Sequence, residues 1–432
     1  MKSRYMNKRY IPKVILTVFY VCSLSLHAIP PEPELGERWV RNDQYSDEFN
    51  GTKLNSHKWN DTFNGWKGRS PGYFNPNTIS VKGGNLVIRN QTGVPSGVGE
   101  EYTLSGGAVQ SKETTAHFGY YEANFKASRI NMSTTFWLSN PKRNEDRTED
   151  PDDRFSQELD IAESIGGAGD FSSDFRKKMK FNTHYRWQDN LKTKEVFFSK
   201  GNNQIEIRDG ELQGGDASLG DQESWETFHT YGCYWKDAKE ATFYVNNNYI
   251  GNIVFRTDKA LTPFRDPMRV NMVTETYNWA KPYPTKEQLD NNAINASYYN
   301  WVRSYVKLPI DQASSLDDEE ETIYKESIQF KNFKVNQGSS FTYAFVGLYQ
   351  TNKDKQANLT IKNAAGDIIK NFQYSIFAGY GKKKFVVSLN APLAPGDYTV
   401  IIDLKDGINV IESDVKVMKV TGGAVDESNG DK

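Results

Sequence analysis

From Trp39 onward the chain runs in short stretches where apolar and polar residues alternate every second position, separated by polar turns. That period places one face of each stretch in a core and leaves the other wet, and the spacing is that of a β-sandwich. Residues 107–111 and 119–126 alternate in this way, and residues 134–138 form a buried run. Residues 79–81 and 85–88 flank Gly83-Gly84 and predict a hairpin. Further strands are expected at 180–187, 228–235, 241–245 and 269–273, and residues 298–306 close this unit. A second set follows the acidic run Asp317-Asp318-Glu319-Glu320-Glu321, whose self-repulsion favours an exposed linker. Its runs at 341–349, 358–362, 384–389 and 397–404, with the turn Ala394-Pro395-Gly396-Asp397, are sequence for about seven short strands. Long amphipathic helical patterns are scarce. The predicted class is all-β, a large sandwich over 39–310 and a small Ig-like sandwich over 336–420. Residues 29–38 read as a lead-in, 311–335 as an acidic linker with a strand, and 421–432 as a disordered polar tail.

The first 28 residues have a different pattern. Lys2, Arg4, Lys8, Arg9 and Lys13 precede an apolar run at 14–26, then Leu26-His27-Ala28 and Ile29-Pro30-Pro31. This describes a signal peptide cleaved after about Ala28, giving a secreted, periplasmic or extracellular protein. The apolar run is short for a membrane span, so none is expected. Cleavage takes away five positive charges and no negative ones, moving the net charge from −2 to about −7. That mildly acidic balance argues against nucleic acid as partner. Only Cys22 and Cys233 are present, so the mature chain has no internal disulfide. Phe19-Tyr20-Val21 is a poor lead-in for lipidation of Cys22.

The chemistry is concentrated in Gln157-Glu158-Leu159-Asp160-Ile161-Ala162-Glu163-Ser164, three carboxylates within an apolar, strand-like run. Carboxylates interrupting a buried strand are costly unless they line a wet cleft. A retaining glycosidase needs two of them, a nucleophile and an acid/base about 5–5.5 Å apart. On a strand Glu158 and Asp160 share a face, whereas Glu163, five residues beyond Glu158, points the other way. One extra residue, a β-bulge between Asp160 and Glu163, restores all three to one face. Position then makes Glu158 the nucleophile and Glu163 the acid/base, with Asp160 assisting both. The same residues would also suit a solvated acidic edge strand or a cation site. No catalytic metal or cofactor is expected.

The surroundings add a family resemblance. Glu158-Leu159-Asp160-Ile161-Ala162-Glu163 resembles the bulged signature of glycoside hydrolase family 16. So do Ser46-Asp47-Glu48-Phe49-Asn50-Gly51, Phe118-Gly119-Tyr120-Tyr121-Glu122-Ala123, Thr135-Phe136-Trp137-Leu138, Tyr231-Gly232-Cys233-Tyr234-Trp235 and Tyr299-Asn300-Trp301-Val302-Arg303, in family order across about residues 39–308. The resemblance implies a curved β-jelly roll with an open substrate cleft and retaining endo action on β-linked glucans or galactans. Trp66-Lys67-Gly68-Arg69-Ser70-Pro71 and Thr274-Glu275-Thr276-Tyr277-Asn278-Trp279 are similar to red-algal galactanases. Agarases tend to carry proline where Arg69 stands. Arginine there resembles porphyranases, in which it would bind the 6-sulfate of an L-galactose unit, and a guanidinium fork matches a sulfate.

Trp66 is a candidate to stack a galactose ring, or a rim tryptophan packing a loop. Trp137 by family position floors the subsite beside the nucleophile, although a core tryptophan fits the sequence as well. Arg154 is a second sulfate candidate, and Arg69 could equally form a structural salt bridge. His184 would hydrogen-bond sugar or Glu163, or be structural. Glu275 and Trp279 are cleft candidates from the resemblance. Many family members carry a structural calcium away from the cleft, but no ligand set in this sequence identifies one. The resulting expectation is a secreted, monomeric endo-hydrolase cutting β-1,4 linkages in porphyran. The alternatives are a β-agarase, then a carrageenase or laminarinase, and outside enzymes a galactan-binding protein on the same fold. The small second sandwich is either an appendage or a binding module, and its lack of a tryptophan cluster favours the appendage.

Overall fold

The computed structural model describes residues 30–140, 143–144, 154–168, 172–188, 195–201, 215–255, 262–312, 314, 322–323, 326–332, 342–388 and 393–420. Residues 1–28, read as a signal peptide, the acidic run 317–321 and the tail 421–432 lie outside them. Two large sheets, antiparallel except where Gly72–Phe74 pairs parallel with the strand Leu104–Ser111, face one another. The outer sheet runs Asn248–Val254, Glu240–Val245, His229–Asp237, Gly119–Lys126, Ala296–Pro309, Glu37–Arg41 and Thr322–Ile323. The second, here the cleft sheet, runs Glu195–Gly201, Lys178–Gln188, Arg154–Ile165, Ser133–Ser139, Arg269–Thr274, Leu104–Ser111 and Trp59–Asn60. Helices are short, Ser172–Lys177 and Lys286–Asp290 being the two α-helices among the described residues.

Alternation explains the core. Tyr121, Ala123 and Phe125 of the outer sheet point inward to meet Phe136, Leu138, Leu159 and Ile161 of the cleft sheet. Phe181 and Phe243 stack across the sandwich at 4.3 Å. Each such ring, fully buried, contributes roughly 1.5–3 kcal/mol. The expected hairpin is present, with Ile79 opposite Ile88 and Val81 opposite Leu86. The first strand begins at Glu37, two residues inside the stretch read as lead-in, and Trp39 Nε1 donates to the Pro31 carbonyl at 2.7 Å.

The C-terminal unit is a separate sandwich with its own core, including Phe345, Leu359, Ile361, Phe385 and Ile402. One sheet has Ser327–Asn332, Thr342–Thr351 and Gly379–Ser388; the other has Ile368–Ile376, Lys355–Lys362, Gly396–Asp406 and Asn409–Val420. The strand Ser327–Asn332, assigned to the linker from sequence, belongs to this sandwich because Ile328 and Phe330 enter its core. The units meet at Gly36, whose N–H donates to Gln350 Oε1 at 3.0 Å. Gly36 has φ +93°, and a Cβ there would sit 3.3 Å from the Tyr380 ring, so glycine suits the seam.

Candidate active site

The strand Arg154–Ile165 carries the predicted bulge. Asp160 lies opposite Trp137 on one neighbour and Ala162 opposite Phe136, so Ile161 is the extra residue. On the other neighbour the register likewise slips between Asp160 and Glu163. The consequence shows in the burial: Leu159, Ile161 and Ala162 are all fully in the core, while Glu158, Asp160 and Glu163 line one cleft. Two consecutive inward residues are what return Glu163 to the face of Glu158.

The cleft encloses about 910 Å³. Its floor comes from the adjoining strand, where Thr135, Trp137 and Ser139 stand opposite Glu163, Asp160 and Glu158. Trp137 is 9% exposed and stacks on Phe63 at 5.5 Å, so it is both a core residue and a cleft wall. Trp66 packs edge-on against Phe63 and Phe74, with part of its ring facing the cleft.

Past Arg269–Thr274 the chain enters a turn in which Ala280 N–H donates to the Tyr277 carbonyl at 3.1 Å, and Glu275, Tyr277 and Trp279 face the same space. Tyr277 donates its hydroxyl proton to Glu163 Oε1 at 2.7 Å. Trp279, half exposed, lies parallel to Tyr277 at 4.9 Å and leans on Phe175. Arg69 Nε donates to Glu275 Oε2 at 3.2 Å, and its guanidinium lies 5.2 Å from the centre of the Tyr277 ring. Thr276 Oγ1 donates to the Arg69 carbonyl and accepts from Gly72 N–H, which clamps the backbone of this loop. The turn needs Gly68, at φ +105°, since a Cβ there would come within 2.6 Å of the Gly72 oxygen. Arg69 is thus fixed by Glu275, Thr276 and Tyr277 together, yet 42% of its side chain is exposed. Of the two readings left open from sequence, sulfate ligand and salt bridge, the salt bridge is present, and the same side chain lines the cleft.

The electrostatics separate the carboxylates. Glu163 is held well above the usual carboxylate range, first by burial and then by the Asp160 carboxylate, against the Tyr277 hydrogen bond and His184. Burial also pushes Glu275 up to about 7, with Arg69 opposing and Glu158 and Asp160 adding to the rise. His184 Nε2 lies 3.2 Å from Asp160 Oδ2 and 3.1 Å from Asn182 Nδ2, which places it beside the middle carboxylate. Single ligand atoms of Glu158, Asp160 and His184 lie within 4.8 Å of one another. Among the described residues this is the group close enough to hold a metal ion. Arg154 begins the strand opposite Gln188, and its side chain lies outside the described residues.

A cleft with an acid kept protonated, a second carboxylate two strand positions from its modulator, and aromatic walls is built for sugar hydrolysis. Residues 39–307 match the family described as Beta-porphyranase A-D, GH16 domain. The chain belongs to that glycoside hydrolase family. It is a glycoside hydrolase of family 16, for which retention of configuration is standard. Residues 328–412 match the Porphyranase-associated domain. Beta-porphyranase E of Zobellia galactanivorans is 40% identical over 278 residues, covering 64% of this chain and 91% of that protein. Beta-porphyranase D of the same organism is 32% identical over 378 residues, 85% of this chain and 84% of that one. The crystal structure of a beta-porphyranase from the human gut bacterium Bacteroides plebeius aligns with a TM-score of 0.57 at 37% identity, over 66% of this chain and 96% of that one.

Sequence reasoning passed over Tyr277, Phe63 and Asn182 in this family 16 cleft. Tyr277 had a signal: Glu275 and Trp279 were singled out, and a residue midway between them at period two shares their face. Phe63 and Asn182 had none.

Proposed function

We propose that this enzyme is a secreted, retaining endo-β-galactanase whose substrate is porphyran. Glu158 attacks the anomeric carbon while Glu163 gives its proton to the departing glycosidic oxygen, leaving an α-linked galactosyl ester on Glu158. Glu163, now a carboxylate, takes a proton from water as the water's oxygen attacks the same carbon. The ester breaks, Glu158 is released, and the β configuration returns. Asp160 serves by repelling charge from Glu163, so that the acid holds its proton until the leaving oxygen arrives. No metal takes part, because a cation among Glu158, Asp160 and His184 would neutralise the nucleophile.

The observation that carries the substrate is Arg69. Its guanidinium is anchored from behind by Glu275 and Tyr277 and open in front, in the cleft wall beside Trp66. A sulfate ester meets it with charge-assisted hydrogen bonds worth about 1.5–3 kcal/mol, and a neutral galactan offers no such partner. Trp66, Trp137 and Trp279 supply the faces on which sugar rings lie. The names of the relatives support the same choice. Among the described residues no helix is long and apolar enough to cross a membrane. The leader Met1 to Ala28 suits export toward a polymer too large to enter a cell. Digestion of purified porphyran and agarose side by side tests the reading; agarose cut as fast as porphyran overturns it.

A further inference from the structure

The C-terminal sandwich leaves one sheet face open, and its composition is unusual. Ala357, Leu359 and Ile361 point into the core, so Gln356, Asn358 and Thr360 point away from it. Their neighbours on that outer face are Gln373 and Asp403 beside Asn358, and Asn371 and Ile401 beside Thr360. Gln356, Asn371 and Gln373 are exposed along this face, and Thr360, 8% exposed, is buried between them. Asn358 is 7% exposed and its Oδ1 accepts no hydrogen bond. A buried acceptor without a donor costs about 1–3 kcal/mol and calls for an explanation. At the end of the same face, Gln356, Ser375 and Lys405 line a cavity of about 400 Å³ with Phe377, which is 66% exposed, and with Asp354 and Asp406, the latter paired with Lys355 at 2.7 Å.

We propose that this face of the associated domain is a second carbohydrate-binding site, which holds a strand of the sulfated galactan while the cleft cuts it. The proposal rests on the substrate reading above for the identity of the polymer. Amides donate and accept at once, as sugar hydroxyls do, and rows of them on neighbouring strands about 4.8 Å apart form a ladder for a polyhydroxylated chain. A ligand hydroxyl supplies the donor that Asn358 Oδ1 lacks. Phe377 gives an apolar ring for the C–H face of a sugar at the lip. Charge favours an anionic polymer: residues 328–412 hold ten lysines, no arginine and six acids, net +4, against −2 for residues 39–307. The weight that the missing tryptophans gave to a mere appendage is outweighed by this polar face.

The test uses the full chain carrying Glu158→Gln, so that polymer is not consumed, run through native gels containing increasing porphyran. Adding Gln356→Ala and Gln373→Ala, both exposed and outside the core, is expected to weaken the apparent affinity at least fivefold. In the active chain the same pair is expected to slow hydrolysis of polymer and leave hydrolysis of a short soluble oligosaccharide unchanged. Retardation undiminished in the double variant overturns the proposal. Arg69→Ala with Glu275→Gln probes the cleft separately: loss of retardation there, with none in the double variant, refutes the second site and leaves the cleft reading standing.

Discussion

Tyr277 and Glu163 form a 2.7 Å hydrogen bond in which the phenol donates to Oε1. Since Oε1 is occupied as an acceptor, the acid proton proposed for Glu163 would be carried on Oε2. The bond also stabilises the carboxylate and so restrains the rise that burial and Asp160 impose. Tyr277→Phe is expected to lower kcat/KM about tenfold, less than the roughly 10²–10⁴-fold of the acid/base group itself, because Tyr277 only tunes that group. Without the donor the pKa of Glu163 rises further, so the alkaline limb of the pH–rate profile moves upward. A profile unchanged in position, whatever the loss in rate, contradicts the assignment.

Arg69 and Glu275 have to be changed together. Arg69→Ala alone strands a carboxylate that is 6% exposed, and lost stability would confuse the reading. With Glu275→Gln added, the expected loss on porphyran is about 10- to 100-fold, the equivalent of one charge-assisted contact. Cleavage of a desulfated galactan is expected to change less than threefold. Measuring kcat/KM on both polymers decides the matter, and equal losses on the two would remove sulfate from the account.

Glu122 is fully buried in the outer sheet, accepts from Tyr120 at 2.7 Å through Oε2, and leaves Oε1 unpaired. Burial pushes its pKa up to about 7 from 4.5. Between those values the native state holds a proton that the unfolded chain has lost, so stability falls as pH rises through this window. Glu122→Gln removes that dependence. Its stability relative to the parent is expected to grow from about pH 5 to pH 8, approaching 3 kcal/mol at most, about 1.4 for each pKa unit. Urea melts at the two pH values check this; a constant difference would exclude Glu122 as the source.

Much of this was legible in the sequence because period two is a direct record of which side chains face a core. The strands around 119–126, 228–235 and 298–306, the hairpin at Gly83-Gly84 and the bulge at Ile161 all follow from it. The strand Ile368–Ile376 was passed over although it alternates, Phe372, Tyr374 and Ile376 turning to the core and Asn371, Gln373 and Ser375 to the outer face. The amide face of the second sandwich escaped because Gln, Asn and Thr at outward positions of a strand read simply as solvated. Arg69 was legible as a residue but not as a geometry. Its anchoring depends on Glu275, Thr276 and Tyr277, two hundred residues away, and only the fold brings these together.

Assignment of the two carboxylates is the central claim, and azide rescue reads it directly. In Glu158→Ala, azide fills the space of the lost nucleophile and attacks the β-linked sugar from the opposite face, so the account predicts an α-galactosyl azide. In Glu163→Ala, Glu158 still forms its ester from a dinitrophenyl galactoside, whose leaving group departs without a proton, and azide displaces it, so the product is the β-galactosyl azide. Both configurations are resolved by the anomeric proton coupling in NMR. The account predicts α from Glu158→Ala and β from Glu163→Ala; the reverse pair, or full activity retained in either variant, would contradict it.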